Sequence, residues 1–509
     1  MQNTGLGSWP ARRAAISPQR VALIFGDRAT TYAELAARVN RLAGRLRDAG
    51  VRHGDRVCYL GPNHPEFVTT MFATYLLGGV FVPLNFRLAA PEIDYLLAHS
   101  GAEVLVYAPE CAPVVRACER VATLGTVVAV GDPAAGELPY ETWLAAGDDI
   151  PIDVPVAGDD VACVLYTSGT TGRPKGAVLT HANVIWNCYN VLVGMDVHGD
   201  EVTLTGAPLF HVAALHQCLL PTFLKGGCSV LMPSWSVDGC LDLIARHRVT
   251  WMFGVAPMFA GLAASPRWPA ADLSSIRSLI VGGSAVPEAL IRTYQQRGLT
   301  FCQGYGMTEA APGATFLEAR ESTAHPGSAG VPVFFTEVRC VRPDLSDTAP
   351  GEPGEVLVRG PNVTPGYWND PQATREAFTD GWFRSGDVAV VDEHGHFRIV
   401  DRIKDMYISG GENVYPAEVE AAIFEHPAVA EVAVVGVPDE RWGETGRAFV
   451  VPTAGRRVDP GEVRAFLAGR LARYKIPTYV DVVADLPRTG SNKVRKAPLR
   501  ALPLPTRQR

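Results

Sequence analysis

The chain has 509 residues, 47% hydrophobic and 19% charged, which supplies apolar surface for several cores and excludes an intrinsically disordered polymer. Its 53 acidic residues outnumber its 46 basic ones, for a formal net charge of −7 without a basic stripe; this argues against a nucleic-acid binder but allows a small nucleotide held by local donors. Ten cysteines form no C-x-x-C pair and sit in apolar runs such as Ala162-Cys163-Val164, the pattern of reduced, buried thiols in a cytoplasmic protein.

Arg12, Arg13 and Arg20 lie near the start without the apolar stretch of a secretory leader. The charge-free stretch 67–86 holds threonines, a Gly78-Gly79 pair and Pro83, so it predicts a helix and then a buried strand rather than a membrane span. From there β-branched runs alternate with helical patterns. Strands are expected over 161–167, 228–232, 249–255, 276–281 and 299–303, and helices over 182–194, 237–246 and 287–297. Such alternation predicts α/β layers with largely parallel strands. After about residue 330 Gly and Pro rise, and short strands such as 355–359 predict a β-rich subdomain over about 330–400. From Asp401 a smaller α+β unit is expected, with helices over 417–425 and 461–471 and strands over 431–437, 447–451 and 479–483. The fold class is therefore α/β: a large N-terminal domain of layered sheets over 1–400, a charged junction over 401–405, and a small α+β domain over 406–509. No internal repeat is visible.

The most informative stretch follows the 161–167 strand. Tyr166-Thr167-Ser168-Gly169-Thr170-Thr171-Gly172-Arg173-Pro174-Lys175-Gly176 combines three glycines, four hydroxyls of Ser and Thr, and a lysine. Glycines let backbone N–H groups turn inward around an anion, hydroxyls add neutral donors, and Lys175 adds a point charge. That set suits a triphosphate. It is not a Walker A loop, because Pro174 precedes the lysine and Gly176 follows it.

This loop resembles the signature loop of the adenylate-forming superfamily, which includes acyl-CoA synthetases, peptide-synthetase adenylation domains and beetle luciferases. Further segments resemble that family in the same order. They are Pro208-Leu209-Phe210-His211, Tyr305-Gly306-Met307-Thr308-Glu309, Trp382-Phe383-Arg384-Ser385-Gly386-Asp387, Asp401-Arg402-Ile403-Lys404-Asp405, and Ser409-Gly410-Gly411-Glu412-Asn413-Val414-Tyr415-Pro416. Pro487-Arg488-Thr489-Gly490-Ser491-Asn492-Lys493 resembles the segment with the C-terminal catalytic lysine. The Gly-Gly-Glu-Asn-Val-Tyr-Pro run is similar to that of the fatty-acid and aryl-acid CoA ligase branch.

The resemblance implies two half-reactions, adenylation of a carboxylic acid by ATP and transfer of the acyl group to the thiol of coenzyme A. It implies ATP and AMP contacts from Thr167, Ser168, Gly169, Thr170, Thr171, Gly172, Lys175, Tyr305, Gly306, Asp387 and Arg402. Catalytic roles fall to Lys493, Thr308, Glu309 and Lys404, with Glu309 also the Mg²⁺ contact and Lys404 the hinge of a mobile C-terminal domain. His211, Val212, Gly282, Gly283, Ser284 and Gly304 line the acyl pocket by the same analogy, and Gly410, Gly411 and Glu412 the pantetheine passage. Chemistry agrees at several of these positions. A carboxylate suits a vicinal ribose diol, and a lysine offsets the repulsion between two approaching anions. No general base is needed, because a carboxylic acid is already ionised at neutral pH. The absence of a charged residue in the pocket segments favours an apolar fatty, aryl or polycyclic acid.

One position departs from the family pattern. Asn492 stands where glycine usually precedes the lysine, which raises a partial enzyme, thioesterifying without efficient adenylation, as an alternative. Transfer to the phosphopantetheine of an acyl carrier protein is another, and luciferase-like oxidation a third. An α/β-hydrolase is excluded, since Gly282-Gly283-Ser284-Ala285-Val286 lacks the final glycine of the nucleophile elbow. No structural metal, nucleic-acid partner or integral membrane segment is expected, and oligomeric state is left open.

Overall fold

The computed structural model describes residues 2–167, 174–283, 286–409, 412–439, 442–468, 470–489 and 493–504. Two large sheets form its body. The first runs from edge to edge through Gly366–Tyr367, Lys175–Thr180, Val161–Thr167, Val80–Leu84, Arg56–Leu60, Val104–Tyr107, Thr126–Ala129 and Leu138–Pro139. Neighbours from Val161–Thr167 to Leu138–Pro139 are parallel, whereas Val161–Thr167 and Lys175–Thr180 form an antiparallel hairpin. The second runs through Val331–Pro332, Gly313–Phe316, Phe301–Gly306, Ser278–Val281, Trp251–Gly254, Val202–Thr205, Cys228–Leu231, Val21–Phe25 and Arg28–Thr31. Its middle is parallel and its two ends are antiparallel. The mixed α/β class is thus as the alternating pattern predicts.

One apolar cluster fills the space between these sheets. It takes Phe81 and Leu165 from the first, Phe253, Ile280 and Cys302 from the second, and Phe67, Phe72 and Tyr75 from the helix Pro65–Leu76. That helix is buried nearly all round, its Glu66 paired with Arg38 at 2.8 Å and its Thr69 and Thr74 hydroxyls bonded back to carbonyls one turn earlier. Among the described residues, no helix is long and apolar enough to cross a membrane.

A third sheet runs Glu337–Val341, Pro353–Arg359, Trp382–Val391 and Phe378–Thr379, with Phe397–Arg402 also paired to Trp382–Val391. A fourth belongs to the small C-terminal unit: Glu412–Val414, Tyr407–Ser409, Gly443–Pro452 and Val429–Asp439, with Tyr479–Val482 parallel to Gly443–Pro452. Most expected elements are present, with shifted ends. The helix expected over 287–297 is Glu288–Gln295, with Pro287 at its N-cap, and that expected over 461–471 ends at Leu467.

The helix His181–Met195 carries an unexpected polar face. Asn183, Asn187 and Asn190 recur at helical spacing and are buried. Asn183 donates to the carbonyls of Pro361 and Val363, both at 2.9 Å. Asn187 donates to the His216 carbonyl at 3.0 Å and accepts from the Gly313 N–H at 3.0 Å. Asn190 accepts from the Phe335 N–H at 2.8 Å and donates to Thr336 Oγ1 at 3.0 Å. Thr336 in turn donates to Asn362, whose amide reaches the carbonyls of Ala310 at 2.6 Å and Gly313 at 2.8 Å. These amides satisfy irregular backbone that no ladder could, and so fix the loop after Phe301–Gly306 against the core.

Asn362→Ala would strand two buried carbonyls and the Thr336 hydroxyl. The expected cost is about 2–4 kcal/mol, read as a thermal midpoint several degrees lower with an unchanged far-ultraviolet spectrum. An unchanged midpoint would mean that water replaces the amide without loss.

Candidate active site

Three sheet ends converge on one carboxylate. Tyr305 lies in Phe301–Gly306, Asp387 in Trp382–Val391 and Arg402 at the end of Phe397–Arg402. Asp387 and Arg402 are directly opposite in an antiparallel pair, so the register itself sets their side chains together. Arg402 Nε lies 2.9 Å from Asp387 Oδ1, and the Tyr305 hydroxyl donates to Oδ2 at 2.7 Å. The Asp387 N–H donates to Ser385 Oγ at 3.0 Å, and that hydroxyl donates to the Val356 carbonyl at 2.7 Å. Burial and the Asp387 charge raise the Tyr305 phenol well above its ordinary value, so it remains a donor. The Arg402 guanidinium is held charged by Asp387 against the cost of burial.

Glu309 lies in the short turn Thr308–Ala310 with Thr308 beside it. Gly306 enters that turn where a Cβ would sit 1.9 Å from the Pro312 carbonyl oxygen, so a side chain is excluded there. The Tyr367 hydroxyl donates to Glu309 Oε1 at 2.9 Å, and the Glu309 carbonyl accepts from the Thr364 N–H at 2.7 Å. Burial raises the Glu309 carboxyl and nearby Asp387 adds to the rise, while Tyr367 and Arg402 oppose it. Lys175 opens the strand Lys175–Thr180 with its ammonium 5.3 Å from the centre of the Tyr367 ring. Thr167 ends Val161–Thr167 and faces it, its hydroxyl 3.4 Å from the Lys175 carbonyl.

Lys493, on the C-terminal unit, is exposed, and its ammonium lies within electrostatic range of Arg402, Asp387 and Glu309. Its N–H donates to Thr489 Oγ1 at 3.1 Å. Loss of water around the ammonium, and then Arg402, hold it below its ordinary value, while Asp387 and Glu309 pull it up. His211 also feels its charge. Lys404 occupies the exposed turn just after Arg402, and its ammonium is lowered first by lost hydration and then by Arg402. Glu412 begins Glu412–Val414 and is exposed.

The imidazole of His211 packs on Phe210, ring centres 4.3 Å apart, and Phe210 meets Phe86 edge-on. Its Nε2 is buried without a hydrogen-bond partner among the described residues. Val212 is buried beside it, ahead of a π-type helical stretch, Ala213–Leu219. Gly282 and Gly304 face one another across adjacent strands. A Cβ on Gly282 would stand 3.0 Å from the Gly304 carbonyl and 3.4 Å from Phe253, and one on Gly304 would stand 3.4 Å from Phe316. The missing side chain at Gly282 therefore lets two strands close up rather than opening a void. Gly283 has a φ of +82°, which favours glycine.

Ser168, Gly169, Thr170, Thr171 and Gly172 lie outside the described residues, as do Ser284, Gly410, Gly411 and Asn492. Among the rest, Tyr305, Glu309, Asp387, Arg402 and Lys493 are brought into one electrostatic neighbourhood. Two contributors had no sequence signal. Neither Tyr367, which holds Glu309, nor Arg87, whose charge reaches His211, is singled out by the sequence. The Glu309 carboxylate is a hard oxygen donor, and Tyr367 takes one of its two oxygens, so the residues present fit a contact to Mg²⁺.

Residues 10–368 match the family described as AMP-binding enzyme, and residues 418–493 match its C-terminal domain. The chain is 54% identical to a feruloyl-CoA synthase of an Amycolatopsis species, over 98% of this chain and 99% of that protein. It is 43% identical to the indoleacetate–CoA ligase of Aromatoleum aromaticum, over 98% of each. A solved anthranilate CoA ligase bound to anthranoyl-AMP superposes with a TM-score of 0.92 at 26% identity, covering 98% of this chain and 97% of that one. The o-succinylbenzoate CoA synthetase of Bacillus subtilis, solved with its acyl-adenylate, gives 0.86 at 33% identity, covering 97% and 98%.

Burial lowers the imidazole of His216 from 6.5 to about 3, and both its ring nitrogens are buried without partners among the described residues. The folded chain keeps it neutral where the unfolded chain protonates it. Below 6.5 the unfolded state therefore binds the extra proton, and stability falls as pH drops towards the folded value. His216→Leu removes that term. Its thermal midpoint against pH should have a flatter acid limb, by about 1.4 kcal/mol per pH unit well below the free-histidine value. Parallel limbs for the two proteins would mean that His216 titrates normally.

Proposed function

The chain belongs to the AMP-binding enzyme family, and from that membership we propose that it is an AMP-forming acid–CoA ligase acting on a carboxylic acid that carries an aromatic ring. The observation that carries this reading is the Asp387 carboxylate gripped by Tyr305 and Arg402, with Glu309 held by Tyr367 and Lys493 within electrostatic range of both acids. The choice of acid is supported by the relatives. Identity is 54% to the feruloyl-CoA synthase and 43% to the indoleacetate ligase, against 39% to a long-chain-fatty-acid ligase of Mycobacterium tuberculosis.

In the first half-reaction the acid's carboxylate oxygen attacks the α-phosphorus of ATP. The bond to the β-phosphate oxygen breaks, and pyrophosphate leaves. Asp387 has about four acceptor positions on its two oxygens, of which Tyr305 and Arg402 take two, so it retains room for both ribose hydroxyls. Thr308, Lys175 and the hydroxyl-rich loop from Thr167 would donate to phosphate oxygens. Lys493 bridges the two anions that must approach, and offsets a repulsion of several kcal/mol in a partly dehydrated cleft. Mg²⁺ bound at Glu309 would neutralise phosphate charge. Neutral His211 walls the acyl side without acting as a base, since its imidazole is lowered to about 3, first by burial and then by Lys493 and Arg87.

In the second half-reaction the thiol of coenzyme A attacks the acyl carbon, AMP leaves, and the thiol proton passes to solvent. Lys493 fills the approach in step one and must vacate it in step two. We assign that exchange to rotation of a C-terminal domain, residues 406–509, about a hinge at 401–405 with Lys404 at its centre. Gly410, Gly411 and Glu412 would then border the pantetheine arm.

A mass-spectrometric assay with ATP, Mg²⁺, CoA and a panel of ferulate, indoleacetate, anthranilate and palmitate tests the reading. Feruloyl-CoA with AMP in equal amount is expected. Preference for palmitate would overturn the aromatic assignment, and acyl-CoA only from preformed acyl-adenylates would mean that adenylation is lost, with Asn492 the first position to revert to glycine. Lys493→Ala should slow adenylation at least ~100-fold while leaving thioester formation from preformed adenylate near normal. Lys404→Pro should do the reverse, and equal loss in both half-reactions would remove the hinge.

A further inference from the structure

Away from the cleft, Glu321, His325 and His396 bring three ligand atoms within 4.8 Å of one another. The first two lie on the connection between Gly313–Phe316 and Val331–Pro332, one helical turn apart, and His396 lies in the turn joining Trp382–Val391 to Phe397–Arg402. His325 Nε2 stands 3.6 Å from Glu321 Oε2. The two imidazoles stack with centres 4.1 Å apart and planes at 21°. The His396 side chain is 13% exposed, and its Nδ1 is 3.7 Å from Asp392 Oδ1, beyond hydrogen-bond length. That nitrogen is buried with no hydrogen-bond partner among the described residues, an arrangement that costs free energy unless something else satisfies it.

We propose that Glu321, His325 and His396 form a binding site for a divalent transition metal of the Zn²⁺ class. Two imidazoles and one carboxylate are the donors of zinc rather than magnesium, and they leave one position for water or Asp392. A tetrahedral ion with bonds of about 2.0–2.2 Å holds its ligand atoms roughly 3.3 Å apart, so binding would draw the three groups together and turn the stacked imidazoles until their in-plane lone pairs converge, a movement of side chains alone. The backbone is already braced. The Ala329 N–H donates to the Phe397 carbonyl at 2.7 Å, the Ser328 hydroxyl to the same carbonyl at 3.1 Å, and the Phe397 N–H to the Gly330 carbonyl at 2.7 Å. The His325 N–H donates to the Glu321 carbonyl at 3.0 Å, which keeps those two side chains on one side. The ion would staple the connecting segment to the turn that leads, through Phe397–Arg402, to Arg402. The sequence expectation of no structural metal is set aside on this cluster, whose Glu-x-x-x-His spacing carries little weight without His396.

The test uses the untagged full-length protein, stripped of metal and titrated with Co²⁺ while visible absorption is recorded, then with Zn²⁺ in competition. One equivalent of Co²⁺ with d–d bands, displaced by Zn²⁺, is expected, together with a thermal midpoint raised by Zn²⁺. His325→Gln and His396→Gln should each weaken binding at least tenfold and abolish that rise, while Glu309→Gln leaves both unchanged. His325 is the more exposed of the two, so its variant decides the matter if the other does not fold. No binding at about 100 μM metal, or equal binding by the wild type and the His325 variant, would overturn the site.

Discussion

The Asp387 carboxylate is where the architecture and the chemistry meet. It belongs to the third sheet, yet one of its oxygens is bound by a tyrosine of the second large sheet and the other by an arginine on the last strand before the C-terminal unit. A buried carboxylate is stable only when its lone pairs are occupied, and breaking one partner of such a group costs several kcal/mol. A hairpin and a strand whose Tyr305 lies 82 residues before Asp387 in sequence are thereby obliged to keep a fixed relation. The pairing of Asp387 with Arg402 comes directly from strand register, so a slip of one residue would turn both side chains to the opposite face.

Fixing the carboxylate would be of little use if the loop carrying Glu309 could drift. That loop is irregular and cannot be held by a sheet ladder. The asparagines of His181–Met195, together with Asn362 and Thr336, bind its carbonyls and N–H groups one by one. Side-chain amides can do this because each offers two donors and an acceptor at a distance that backbone groups cannot match. Rigid positioning of the acidic groups is thus paid in buried polar bonds rather than in apolar contact. Tyr367 adds the last constraint by fixing one oxygen of Glu309 from the edge strand Gly366–Tyr367.

Much of this was legible in the chain itself, and the parts that were not share a cause. Strand 161–167 was readable because its apolar run is bounded by turn chemistry, and the segments around Tyr305 and Asp387 through their resemblance to the motifs of the adenylate-forming family. Tyr367 and the asparagine face were invisible because their meaning is purely tertiary: a tyrosine in a loop and a polar residue in a helix gain a role only from what packs against them. At Gly282 the structure adds a packing reason that the pattern did not offer. A small residue suggests space, but here the absent side chain makes way for the Gly304 carbonyl. The helix expected to run to 471 stops at Leu467, where Ala468 turns extended and the chain re-enters the core at Leu471.

The position of the junction follows from the same economy. Arg402 is anchored on Asp387, so the chain cannot swivel before it. The Ile403 N–H still donates to the Gly386 carbonyl at 2.9 Å, and two carboxylates, one before Arg402 and one after it, touch the C-terminal unit. The Asp401 carboxylate accepts from the Ala417 N–H at 2.8 Å, and Arg500 approaches Asp405 at 3.5 Å, a half-exposed pair of the kind that contributes about 1 kcal/mol or less. Lys404 stands in this gap, exposed, with its ammonium already disfavoured by Arg402. Under the proposed rotation, a unit that presents Lys493 in one half-reaction and withdraws it in the next would need anchorage up to Arg402 and little to break beyond it, which is the role proposed for residues 402 to 405.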